Sequence, residues 1–204
     1  MKAHTSETQA TITPEKALEI LKEGNQRFVK NLKANRDLLA QVNDTRAGQW
    51  PFAVVLSCID SRTSAELIFD QGLGDIFSVR IAGNFVNQDI LGSMEFGCNG
   101  AGSKLVVVLG HTKCGALKGG LDAAAIEGLG MDNLNHLVGH FDPIIKNIIK
   151  DDEERSSKNS DLLERLNHEN VLNSIEHIRK ESSTLSKMEQ EGKIKIVGAN
   201  YDVE

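Results

Sequence analysis

The sequence of 204 residues has few aromatic side chains, only three cysteines and no long apolar run. A helix that crosses a bilayer needs about 20 consecutive apolar residues, so we expect no membrane-spanning segment. Residues 1–12 are polar and lack the apolar stretch of a secretory signal. We therefore expect a cytoplasmic protein, although a processed start leaves a periplasmic form open.

The sequence also lacks an excess of positive charge, because 23 Lys and Arg stand against 29 Asp and Glu. Nucleic-acid-binding proteins usually carry a basic stripe, and this sequence has none that is interleaved with aromatic residues. We therefore expect neither a nucleic-acid partner nor a membrane partner. With 40% hydrophobic residues, the chain is long enough to bury a full core. The prediction is one domain over residues 1–204.

Apolar runs alternate with helical patterns along the chain, which is typical of an α/β fold. We expect a central, mainly parallel β-sheet of about four core strands, flanked by helices. The four predicted strands cover residues 53–58, 76–81, 105–109 and 194–197.

A helical arm is predicted near the start of the chain. Thr13 is a suitable N-cap and Pro14 suits the first helical position. Apolar residues then recur at helical spacing, at Ala17, Leu18, Leu21, Phe28, Val29 and Leu32. We predict an arm over residues 13–33, preceded by a flexible segment over 1–12. Further helical patterns cover 131–150 and 161–178, and the polar run 151–160 is interpreted as a loop.

Two polar segments directly follow predicted strands: Cys58-Ile59-Asp60-Ser61-Arg62 and His111-Thr112-Lys113-Cys114-Gly115. The carboxyl ends of parallel strands meet where ligands bind, so we expect both segments in one crevice. Two Cys and one His form a three-ligand zinc set that leaves one position open. A buried Cys alone is more often an inert packing residue, and Cys98 is interpreted in that way. The shared position of Cys58, His111 and Cys114 favours a zinc site.

Asp60 and Arg62 are two residues apart, so in extended backbone their side chains share a face. They can form a bidentate ion pair there. The pair is either purely structural or part of the site, with Arg62 keeping Asp60 ionised. In the second case, Asp60 is aimed either at the metal or at a proton of metal-bound water. The spacing does not choose between these alternatives.

The two segments resemble the signatures of the β-class carbonic anhydrases. The similarity covers residues 13–204 and includes Gly74-Asp75-Ile76-Phe77, Arg80-Ile81-Ala82-Gly83-Asn84 and Gly198-Ala199-Asn200-Tyr201-Asp202. The resemblance implies one Zn²⁺ per chain with ligands Cys58, His111 and Cys114, and a catalytic dyad of Asp60 and Arg62. The implied activity is the reversible hydration of carbon dioxide to bicarbonate and a proton, by attack of zinc-bound hydroxide.

The resemblance also implies a substrate pocket. Gln49 matches the glutamine that hydrogen-bonds the substrate, and Phe77 matches an apolar wall. Phe96 stands where many members carry tyrosine, so the hydroxyl of that tyrosine is missing. Val55 is a further candidate for the lining. The alternatives are a plain loop residue for Gln49 and ordinary core residues for the two phenylalanines.

One subfamily has a closed form in which the aspartate ligates zinc and a Trp, Arg and Tyr set binds a second bicarbonate. Arg80 and Tyr201 match the last two residues, but Val55 replaces the tryptophan. We therefore expect the open arrangement, with water on zinc.

The family builds its pockets at dimer interfaces, so the resemblance implies a homodimer or a homotetramer built from dimers. Two other functions stay open. One is a carbon disulfide or carbonyl sulfide hydrolase, because relatives of this fold use the same zinc set. The other is a non-catalytic, zinc-stabilised protein that binds bicarbonate. The dyad and Gln49 count against this last alternative.

Overall fold

The computed structural model describes residues 2–127 and 129–204. Within this part of the chain, four strands form one parallel sheet in the order β2-β1-β3-β4. The strands are β1 (Ala53–Ser57), β2 (Ile76–Arg80), β3 (Leu105–His111) and β4 (Lys195–Tyr201). Helices lie between and around them, which confirms the predicted α/β class.

The helices of the described residues are numbered here in chain order. They are α1 (Ser6–Ala10), α2 (Pro14–Val29), α3 (Leu38–Asp44), α4 (Ala65–Ile68), α5 (Gln88–Glu95), α6 (Gly115–Leu121), α7 (Ala123–Glu127), α8 (Asp132–Gly139), α9 (Asp142–Ile148), α10 (Ser160–Glu181) and α11 (Ser183–Gln190). A π-helical turn, Phe96–Gly100, follows α5 directly. None of the described helices has the length and apolar character that a membrane crossing requires.

Both faces of the sheet are covered, which explains why β1 and β3 are continuous apolar runs. Successive side chains of a strand point to opposite faces. One face contributes Val54 and Val106 to a core with Val171 of α10. The other face contributes Val55 and Val107, packed against Ala17, Leu21 and other residues near the start of the chain.

The N-terminal region differs in part from the prediction. Thr13 caps α2 by accepting a hydrogen bond from the Lys16 amide at 3.2 Å, as expected, but the helix ends at Val29. Residues 1–12, which we predicted to be flexible, contain α1. Gln9 of that helix is buried and donates from Nε2 to the carbonyl oxygens of Pro51 (2.7 Å) and Ala101 (2.8 Å). These long-range contacts leave no periodic signal in the sequence.

The helical pattern over 131–150 forms two helices, α8 and α9, instead of one. Pro143 lies in the first turn of α9. Amides in the first turn have no acceptor within the helix, so the missing amide hydrogen of proline costs no hydrogen bond there. Phe141, between the two helices, is fully buried. The later pattern over 161–178 corresponds to α10, which extends slightly further at both ends.

Candidate metal centre

The three predicted ligands meet at the carboxyl edge of the sheet. Cys58 follows β1, His111 is the last residue of β3, and Cys114 is the N-cap of α6. Because β1 and β3 are neighbours in the sheet, their ends lie side by side. The ligand atoms of the three residues all lie within 4.8 Å of one another, and all three side chains are buried. This group could hold a metal ion.

The His111 ring is oriented for metal binding. Its Nδ1 lies 2.9 Å from the carbonyl oxygen of Thr112, which can only accept a hydrogen bond, so Nδ1 carries the proton. Nε2 therefore presents a lone pair, and it is buried without a hydrogen-bond partner among the residues that the structure describes. A buried polar atom without a partner is costly. Two sulfurs and one imidazole nitrogen form a donor set that suits Zn²⁺.

The two thiols are in direct contact, with 3.9 Å between the Sγ atoms of Cys58 and Cys114. Their shared hydrogen bond lowers the pKa of Cys58, and the Gly83 amide, which donates to its Sγ at 3.3 Å, lowers it further. The same shared bond raises the pKa of Cys114, and burial adds to that rise. The two thiols therefore ionise as a coupled pair, and the Gly83 amide favours negative charge on the Cys58 sulfur.

Asp60 and Arg62 form the predicted bidentate pair. Arg62 donates from Nε to Oδ1 at 2.9 Å and from Nη2 to Oδ2 at 2.8 Å. The hydrogen bonds from Arg62 hold the pKa of Asp60 well below its usual range. The Asp60 carboxylate is not part of the three-residue metal group. The open form, with water on zinc, stays a prediction.

The loop that carries Cys58 and Asp60 is held by two residues whose part in it we did not predict. Arg80 donates from Nε to the Cys58 carbonyl oxygen at 2.9 Å and from Nη2 to the Asp60 carbonyl oxygen at 2.6 Å. The buried hydroxyl of Thr63 bonds to the same two carbonyl oxygens. We matched Arg80 to a second bicarbonate site, but here its guanidinium donates hydrogen bonds to the backbone of the loop.

Gly83 brings its amide to the Cys58 sulfur from a tight turn. Its φ is +80°, and a Cβ there would lie 2.4 Å from Cζ of Phe141. Asn170 of α10 donates to the Gly83 carbonyl oxygen at 2.7 Å and holds the turn from the other side. The available sequence signal is the Gly83-Asn84 pair, two residue types that tolerate positive φ.

The predicted pocket residues are not all near the metal group in this single chain. Phe77 and Phe96 are in edge-to-face contact at 6.1 Å, and Phe96 is 64% exposed. Gln49 is exposed and makes no hydrogen bond to the three ligand side chains within the described residues. Val55 is fully buried in the core. A pocket around these four residues stays a prediction.

Comparison of sequences supports the resemblance. The family model for carbonic anhydrase matches residues 53–204. Carbonic anhydrase 2 of Mycobacterium tuberculosis is 35% identical over 195 residues, which cover 94% of this chain and 89% of that protein. A carbon disulfide hydrolase of Acidithiobacillus thiooxidans is also 35% identical, but only over 71 residues, about a third of either chain.

Solved structures give the same result. The β-carbonic anhydrase CcaA is similar with a TM-score of 0.70 and 25% identity, covering 91% of this chain and 90% of that one. A tetrameric β-carbonic anhydrase of Sordaria macrospora shares the fold at 20% identity, with a TM-score of 0.63 and coverage of 78% and 80%. The chain therefore belongs to the β-class carbonic anhydrases, a family of enzymes.

Proposed function

We propose that this chain binds one Zn²⁺ through Cys58, His111 and Cys114 and catalyses the reversible hydration of carbon dioxide to bicarbonate and a proton. The observation that carries the proposal is the buried Nε2 of His111 beside two thiol sulfurs, which has no hydrogen-bond partner in the described part of the chain. The family to which the chain belongs supports the reaction.

Each residue of the proposed site has a separate task. When bound, zinc lowers the pKa of water and supplies hydroxide at neutral pH. With the metal in place, Asp60 would accept a hydrogen bond from the nucleophilic oxygen and so orient it towards the substrate. Arg62 holds the carboxylate ionised and fixed. Oδ1 already accepts two hydrogen bonds from Arg62, whereas Oδ2 accepts one and keeps a lone pair for this second contact.

We further propose that a second copy of the chain completes the pocket, as a homodimer or a tetramer of dimers. Large apolar side chains near the first motif are exposed, among them Ile59 (62%) and Leu67 (61%). An exposed apolar patch suits association with another protein surface. In this assembly, Gln49 and Phe77 of one chain serve the metal group of its partner, and Phe96 lies on the apolar side. The enzyme acts in the cytoplasm in this proposal.

The experiment is stopped-flow carbon dioxide hydration, with the zinc content of each sample measured in parallel. The zinc-loaded protein is compared with the apo protein and with Asp60→Asn from about pH 6.5 to 9. Cys114→Ala should lose zinc and activity. Cys98→Ala is the matched control, because Cys98 is an equally buried cysteine outside the metal group, and it should keep both.

Two outcomes would contradict the proposal in different ways. Zinc-loaded protein that hydrates no carbon dioxide at any pH would favour a carbon disulfide or carbonyl sulfide hydrolase, or a non-catalytic bicarbonate-binding protein. Activity that survives complete zinc removal would exclude the metal from the reaction.

A further inference from the structure

Thr112 lies between the proposed ligands His111 and Cys114, and its amide, hydroxyl and carbonyl groups all make hydrogen bonds. Its amide donates to the Tyr201 carbonyl oxygen at 3.0 Å. Its hydroxyl donates to Oδ1 of Asp202 at 3.0 Å and accepts from the Val203 amide at 3.0 Å. Its carbonyl oxygen accepts from Nδ1 of His111. Three of these four bonds come from the residues that end or follow β4.

The same C-terminal residues also hold the rest of the turn. Oδ1 of Asp202 accepts a second hydrogen bond, from the Glu204 amide at 3.1 Å. The Glu204 carboxylate in turn pairs with the Lys113 ammonium. Lys113 has a φ of +57°, a conformation that L-residues with side chains disfavour. Such a residue persists where its surroundings hold it in place.

These contacts begin where the sheet stops. The β3–β4 pairing ends with His111 opposite Tyr201, and the hydrogen bond from the Thr112 amide to the Tyr201 carbonyl oxygen follows directly after it. The carbonyl oxygen of Thr112 sets the orientation of the His111 ring through Nδ1. Hydrogen bonds of this kind orient a metal-ligating histidine and fix which nitrogen is free.

We propose that Asp202, Val203 and Glu204 form a clasp that positions the metal-ligating turn, with Thr112 and Asp202 as its positioning residues. The clasp keeps Nε2 of His111 aimed at the space between the two sulfurs. Loss of the clasp frees the turn, so the metal dissociates faster although every ligand is still present. This inference rests on the proposed zinc site.

The test measures the rate of zinc dissociation from the holoprotein into excess chelator, with two matched pairs of variants. Thr112→Val keeps the shape and loses the hydroxyl, whereas Thr112→Ser keeps the hydroxyl. Asp202→Ala removes the acceptor, whereas Asp202→Asn keeps an Oδ1 that can accept both hydrogen bonds.

We expect Thr112→Val and Asp202→Ala to release zinc about 10 to 100 times faster than the wild type. Thr112→Ser and Asp202→Asn should stay close to the wild-type rate. Asp202 is exposed, so we expect both Asp202 variants to fold. They give a result even if Thr112→Val fails to fold. Glu15→Gln is the control for β4, because Glu15 bonds Lys195 at the other end of that strand. It should leave the rate unchanged.

A merely structural role would lower the denaturant midpoint of the apo variants and leave the zinc dissociation rate unchanged. Equal rates within both pairs, in protein that holds zinc, would therefore overturn the clasp and leave the proposed function intact. A wild-type protein that binds no zinc would overturn both.

Discussion

Arg62 and Asp60 form two parallel hydrogen bonds, and the Arg62 amide adds a third to Oδ1 at 2.9 Å. Only a guanidinium can present two donors in this fixed fork. The carboxylate is therefore held in one orientation two residues after Cys58. The bonds that orient it also keep it ionised, since they lower its pKa.

Arg62→Lys should lower carbon dioxide hydration by about 10 to 100-fold while the zinc content stays at the wild-type level. Lysine keeps the charge but cannot form both bonds, so the carboxylate loses its fixed orientation. Arg179→Lys is the matched control, because Arg179 makes the same bidentate contact with Glu189 away from the metal group. Equal activity of both variants would show that the orientation of Asp60 is unimportant.

Gly83→Ala should destabilise the fold more than Gly192→Ala does. Both glycines have a positive φ, so each substitution costs about 1–2 kcal/mol in backbone strain. At Gly83 the new Cβ also collides with Phe141, which adds about 1–3 kcal/mol, whereas at Gly192 it meets nothing within 4 Å. Urea unfolding of the two variants measures the difference. A smaller loss for Gly83→Ala than for Gly192→Ala would contradict the packing of this turn.

Asp70→Asn should lower the free energy of unfolding by about 3 kcal/mol. Asp70 is buried and pairs with both Arg27 and Arg36, and the Arg36 side chain is itself only 6% exposed. Removal of the one carboxylate leaves a buried guanidinium without its counter-charge. Glu19→Gln, which breaks an exposed pair with Lys16, should change the unfolding curve little. Similar effects of the two variants would contradict a buried ion-pair cluster.

Glu153 should contribute to stability at neutral pH and stop contributing in acid. Its hydrogen bonds with Arg165 lower its pKa to about 2. The unfolded chain, with a glutamate pKa of about 4.3, binds the proton first as the pH falls. The contribution is therefore complete above about pH 4.3 and lost as the pH falls through about 2. Glu153→Gln should unfold at lower urea than the wild type at pH 7, and the difference should shrink towards pH 3.

The strands β1 and β3 could be predicted because buried parallel strands are continuous apolar runs. The end of β4, from Gly198 to Tyr201, could not be predicted. Glycine and asparagine pair there through their backbone alone, so no apolar run marks the strand. The split between α8 and α9 escaped the periodicity because the apolar spacing continues across it. Here a local feature, Pro143 behind the buried Phe141, overrides the pattern.

The metal group could be predicted because strand ends bring its members together whatever the loops do. The residues that hold it could not. Gly83 and Thr112 act through contacts with partners far along the chain, and such contacts have no spacing to detect. The role proposed for Gln49 requires the proposed partner chain and stays a prediction.

Cys58 and Cys114 are 56 positions apart in the chain, yet their sulfurs are 3.9 Å apart across two neighbouring strands. A cation held by both is a reversible cross-link between the two halves of the sheet. By mass action, free metal at 100 times its dissociation constant adds about 2.7 kcal/mol to the free energy of unfolding. Metal supply would therefore set what fraction of the molecules is folded as well as whether they can react.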